Sequence, residues 1–69
     1  MALMNILLNG QPFECDEAAT LETLIDLQNL GGKRIAIEVN LEVIPRSQFA
    51  DCELHDGDKV EIVHAIGGG

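Results

Sequence analysis

The stretch KVEIVHAI, residues 59–66, followed at once by Gly67-Gly68-Gly69, decides how this chain folds. Val60 and Ile62 alternate with Glu61 and Val63, a period of two that turns the first pair inward and the second outward. A last strand this apolar belongs in the interior of a sheet. The other strongly apolar strand is the first: in MNILLNGQPFEC, residues 4–15, Met4, Ile6 and Leu8 alternate on one side. Asn9-Gly10 is a strong two-residue hairpin signal, after which Phe13 and Cys15 resume the inward face. Pro12 cannot donate to a ladder, which suits either an edge strand or a slightly longer loop. The first and last strands are therefore expected side by side at the centre of the sheet, running parallel.

Between them, Thr20 reads as an N-cap, and Leu21, Leu24, Ile25 and Gln28 fall on one helical face. Leu27 and Leu30 are expected to widen that stripe, with Glu22 and Asp26 facing water. Gly31-Gly32 offers a left-handed stop, and Lys33 and Arg34 would stand near the negative end of the helix dipole. RIAIEVN alternates again through Ile35, Ile37 and Val39. Asn40-Leu41-Glu42 turns, and a short strand is halted at Pro45. SQFADCEL reads as a helical turn or loop with Phe49 and Leu54 pinned to the core, and Asp56-Gly57-Asp58 as a tight turn. One helix can cover only one face of a sheet. The expected class is α+β: a β-grasp (ubiquitin-like) fold with a mixed sheet of four to five strands on one main helix, residues 1–66 forming the domain and 67–69 a flexible glycine tail.

Sixty-nine residues make a single small domain, and 46% hydrophobic content is enough for a core. Only Phe13 and Phe49 are aromatic, so that core is aliphatic. Twelve acidic residues against four basic ones give a net charge of -8. That excludes phosphate-binding roles on nucleic acid and disfavours anionic membranes, while leaving room for a partner with a basic face. No apolar run is long enough to span a bilayer, and MALMNILLNG lacks the pattern of a signal peptide, so a cytoplasmic location is expected.

Little points to catalysis. His55 and His64 are the only histidines, and no serine or cysteine adjoins either. Neither metal-ligand spacing nor a phosphate-binding glycine loop occurs, and the carboxylates do not form an acid–base pair. Cys15 and Cys52 read as small packing residues, with no bridge expected in a reducing compartment. The expectation is a protein that is not an enzyme, with no metal site and no stably bound cofactor.

The remaining signal is the tail. Glycine is costly to order and contributes no packing, so three in succession after a strand suit a probe whose working part is the α-carboxylate of Gly69. At neutral pH that carboxylate is ionised, with a usual pKa of about 3.3–3.7. It resists nucleophiles until one oxygen becomes a leaving group, as in an acyl-adenylate made from ATP by another protein. Without side chains, Gly67 and Gly68 would let it enter a narrow active-site slot. Val63, Ala65 and Ile66, leading to the tail, are expected to dock the partner.

The stretch from MNILLNG to the end resembles the ThiS family, the sulfur carriers of thiamine biosynthesis. The resemblance is most specific at Asn40 with VIPR (43–46), DGD (56–58) and VEIVHAIGGG; Phe49 stands where relatives often carry tryptophan. It implies that an adenylyltransferase of the ThiF type, using ATP and magnesium, activates Gly69. A persulfide donor then replaces AMP with sulfur, and the thiocarboxylate delivers it to a thiazole synthase of the ThiG type. The small subunit of molybdopterin synthase shares this chemistry, but such relatives are usually longer around the helix. A ubiquitin-like modifier conjugated to lysines, and a plain binding module with inert glycines, are the other readings.

Overall fold

The computed structural model describes residues 2–64. Strand β1 (Leu3–Leu8) turns into β2 (Gln11–Asp16), helix α1 (Leu21–Leu27) follows, then β3 (Ile35–Val39), β4 (Glu42–Ile44), a 3-10 turn (Arg46–Gln48) and β5 (Lys59–His64). The five strands form one sheet in the order β2-β1-β5-β3-β4. The first and last strands lie together and run parallel, with Leu7 opposite Lys59 and Leu8 opposite Val60, as the hydrophobic pattern predicts. The other pairings, β1 with β2 and β3 with both β4 and β5, are antiparallel. This is the β-grasp arrangement, and Pro12 sits in edge strand β2 where its missing N–H costs no ladder bond.

Alternation places Met4, Ile6 and Leu8 of β1, Ile37 and Val39 of β3 and Val60 and Ile62 of β5 on one face of the sheet. They form the core with Leu21, Leu24 and Ile25 of α1 and with Cys15, Ala19, Phe49 and Leu54. Helix α1 has seven residues, too few to be stable alone, so its packed stripe and its ends must hold it. The first three N–H groups, which have no partner inside a helix, are all taken. Leu21 donates to the Cys52 carbonyl at 3.0 Å and Glu22 to the Phe49 carbonyl at 3.1 Å. Thr23 donates to Oγ1 of Thr20 at 3.3 Å, confirming Thr20 as N-cap. The loop after the 3-10 turn thus docks its backbone onto the helix start while Phe49 and Leu54 enter the core.

The other end of the helix corrects the sequence expectation. The chain leaves the helix at Gln28, and the left-handed residue that closes it is Asn29 (φ 59); Gly32 is also left-handed (φ 80), but it lies in the turn beyond the helix end. Asn29 donates to the Asp26 carbonyl at 3.1 Å and Leu30 to the Ile25 carbonyl at 2.9 Å. Those two bonds make a Schellman close, in which Leu30 folds back against the core beside Ile25. A stop at Gly31 would have carried Leu30 around the helix and away from that contact. Because the helix ends early, its last turn holds no basic residue, and Lys33 and Arg34 lie in the following turn rather than at the dipole. Leu27 does not widen the buried stripe: it is 58% exposed, beyond the edge of the stripe formed by Leu21, Leu24 and Ile25.

Candidate functional site

Strand β5 carries the chain toward the glycines, and its neighbours fix where it starts and how it lies. Asn9 and Asn40, the first residues of the two hairpin turns, adopt the left-handed conformation (φ 51 in each). Asn9 donates its backbone N–H to the Val60 carbonyl at 2.8 Å, and its Oδ1 accepts from the Ile62 N–H at 2.8 Å. On the other flank, Asn40 donates its N–H to the Lys59 carbonyl at 2.8 Å, and its Oδ1 accepts from the Lys59 N–H at 3.0 Å. Its Nδ2 donates to Oδ1 of Asp58 at 3.0 Å. β5 is thus held on both sides by asparagine side chains as well as by its ladders.

The DGD turn serves the same anchoring. Oδ1 of Asp56 accepts from the Asn5 N–H at 2.8 Å, and Gly57 (φ 88) donates to the Asn5 carbonyl at 2.7 Å. Oδ2 of Asp58 accepts from the His55 N–H at 2.8 Å, while the His55 ring stays solvated 3.8 Å from that carboxylate. Arg46 of the VIPR motif donates from its guanidinium to the Lys33 carbonyl and lies 5.8 Å from the Phe49 ring centre. Asn40, Arg46, Asp56 and Asp58 are therefore structural: each ties a turn to a strand or another loop.

The solvent-facing side of the sheet differs from its core side. Glu61 and Val63 of β5 point outward, as do Ala36 and Glu38 of β3 and Val43 of β4. The antiparallel register sets Ala36 opposite Val63, Glu38 opposite Glu61 and, across the next pair, Glu38 opposite Val43. Val63 is 57% and Val43 65% exposed, so the face bears apolar side chains without a cover among the described residues. Val63 thus stands where the sequence places it, outward on the last strand. Ala65, Ile66, Gly67, Gly68 and Gly69, the other docking and carrier residues singled out, lie outside the described residues, as does the expected run of the strand through Ile66. Alternation alone shows Glu38 to be outward, but the strand register that pairs it with Glu61 is not a sequence signal.

Other chemistry is sparse. Cys15 is buried, Cys52 half-buried, and both are free thiols. Burial pushes both thiols above the usual cysteine range, aided at Cys15 by Asp16 and at Cys52 by Asp58 and Glu42. A raised thiol pKa suppresses the thiolate and suits packing rather than nucleophilic work. No cluster of three or more potential metal ligands occurs among the described residues. An open depression of about 330 Å³, lined by Leu3, Met4, Glu17, Leu54, His55 and Asp56, lies by the start of β1. Since β1 and β5 run parallel, that depression is at the opposite end of the sheet from His64. No helix of the described residues is long and apolar enough to cross a membrane.

Comparison with known proteins places this architecture. The family model described as the ThiS family matches residues 6–69. The sulfur carrier protein ThiS of Escherichia coli is 30% identical over 66 residues, covering 96% of this chain and all (100%) of that protein. A thiazole synthase of Paramagnetospirillum magneticum is 38% identical over 66 residues, which span 96% of this chain but 20% of that much longer protein. Among solved structures, the crystal structure of the thiamine biosynthesis protein ThiS from Geobacter metallireducens superimposes with a TM-score of 0.82 at 32% identity, covering 96% of this chain and 100% of the other. The fold, the shared length and the family match agree: the chain belongs to the ThiS family, the sulfur carriers of thiamine biosynthesis.

Proposed function

We propose that this protein carries sulfur as a thiocarboxylate on Gly69 and is itself a co-substrate. The observation that supports this most is the seating of β5, a central strand clamped by Asn9 and Asn40 and separated from Gly67 only by Ala65 and Ile66. A partner that grips the domain therefore controls where the glycines start. The carboxylate attacks the α-phosphorus of ATP on a ThiF-type adenylyltransferase, and magnesium-bound pyrophosphate leaves. The terminal sulfur of a persulfide then attacks the acyl carbon and expels AMP. Cleavage of the resulting acyl disulfide by a second thiol leaves the thiocarboxylate, which a ThiG-type thiazole synthase consumes. This carrier-like segment also forms part of a thiazole synthase chain in Paramagnetospirillum magneticum, which favours direct docking of carrier and synthase. It also favours the thiazole route over molybdopterin chemistry or lysine conjugation. Val63, Ala65 and Ile66 are the apolar docking residues of this reading. Neither cysteine takes part.

The test alters the tail without touching the domain. Deleting Gly69 retracts the carboxylate by up to about 3.3–3.6 Å. Appending one residue buries it in a peptide bond, and Gly68→Ala adds one methyl group. A displacement of about 1 Å can already lower a rate about a hundredfold. All three variants should melt with the parent and lose ATP–pyrophosphate exchange with the adenylyltransferase. An untrimmed, extended protein that is activated as fast as the parent refutes the proposal.

A further inference from the structure

We infer that the outer face of β5, β3 and β4 receives an arginine of the adenylating enzyme between Glu61 and Glu38, with Val63, Ala36 and Val43 packing around it. This rests on the carrier reading and adds to it the charge of the partner surface. The register puts Glu38 and Glu61 directly opposite each other in neighbouring antiparallel strands. Residues so placed have Cβ atoms about 4.5–5.5 Å apart, and like charges there destabilise a sheet. Nothing local relieves the pair. Among the described residues the only basic side chain within 4.0 Å of a carboxylate is His55, 3.8 Å from Asp58, and Lys59, two positions before Glu61, reaches neither glutamate within that distance.

The surroundings say what the pair is suited to. Val43 continues the row on the far side of Glu38, and Val63 faces Ala36 in the next outward row toward the glycines. Two carboxylates at this spacing set in an apolar surface match a guanidinium, whose planar fork of donors can serve both at once, better than a compact ammonium. The enzyme that adenylates a carboxylate must hold ATP, pyrophosphate and that carboxylate together, so the mouth of its slot is a cationic field. The face nearest the root of the tail meets that mouth first. A chain of net charge -8 is drawn to it from a distance, and the glutamate pair sets the final orientation.

The decisive variant is Glu38→Gln with Glu61→Gln, which keeps shape and removes both charges. With the intact adenylating enzyme and ATP, its KM in pyrophosphate exchange should rise about tenfold while kcat stays within about twofold of the parent. The salt dependence of kcat/KM should flatten. The free double variant should melt higher, by up to about 8 °C, because a repulsive cross-strand pair has been removed. Opposite signs in binding and stability are the signature, since a merely structural role would lower both. A double variant that matches the parent in KM and salt dependence overturns the inference, as does one that melts lower. A parent protein that is never activated defeats the carrier reading and this inference with it, whereas an activated parent with an indifferent double variant defeats this inference alone.

Discussion

The two hairpins of the sheet use the same turn with different residues. In each, two consecutive residues have positive φ: Asn9 (51) and Gly10 (81) between β1 and β2, Asn40 (51) and Leu41 (71) between β3 and β4. These are type I′ turns, whose twist matches the strands they join. The asparagines also do the same job, each reaching sideways to hold β5. The second positions differ. Gly10 meets no steric objection at positive φ, and a Cβ built there would find nothing within 4 Å. Leu41 places a branched side chain in a conformation that costs about 1–2 kcal/mol for an L-residue, and that side chain is 84% exposed. The first turn follows local preference, whereas the second is held by its partners.

The asparagines offer the largest way to break that comparison. Asn9→Ala removes the acceptor for the half-buried Ile62 N–H and leaves alanine in a left-handed position, so the domain should lose about 2–3 kcal/mol in denaturant unfolding. Asn40→Ala removes two side-chain bonds, but both lie in water's reach and are replaceable, so its loss should be smaller, about 1.5–2 kcal/mol. A larger loss at Asn40 than at Asn9 contradicts the assignment of cost to the shielded N–H. Leu41→Gly should instead stabilise by about 1 kcal/mol, since relief of strain exceeds the added chain entropy. A stability loss on that substitution means Leu41 makes a contact outweighing its strain.

The smallest expected effect is in the cysteines, where pH sharpens the contrast between buried and exposed parts. Burial disfavours the thiolate and pushes both folded thiols above the ordinary cysteine range. The unfolded chain therefore loses these protons first, so the stabilising contribution is complete below the unfolded pKa and fades as pH rises through the folded one. Urea midpoints should fall as pH rises above the ordinary thiol range, and a Cys15→Ala, Cys52→Ala double variant should lose part of that slope. An unchanged slope removes the thiols from the account.

Periodicity and turn chemistry made much of this legible in advance. Alternation in β1, β3 and β5 named the inward residues, and Asn9-Gly10, Pro12, Thr20 and Pro45 marked turns, edge and cap where the chain has them. What escaped was non-local. The helix stop fell on Asn29 because Leu30 packs back on the core, a gain visible only once the sheet is present. Asn40 and Asp58 stand 18 residues apart, so their hydrogen bond has no sequence period, and the motif containing them showed only that these positions matter. At the candidate site, Val63 was readable as outward from alternation, while the meeting of Glu38 with Glu61 depended on the register of two strands that are not neighbours in sequence.

The central claim is that sulfur rides on Gly69 and nowhere else. Its most direct measurement is intact mass, with fragmentation, after incubation with the adenylating enzyme, ATP, a persulfide source and reducing thiol. The account predicts the gain of one sulfur for one oxygen, located in the C-terminal fragment and persisting in the Cys15→Ala, Cys52→Ala variant. Sulfur found on a cysteine, or a fully active enzyme that leaves the mass of the carrier unchanged, contradicts it.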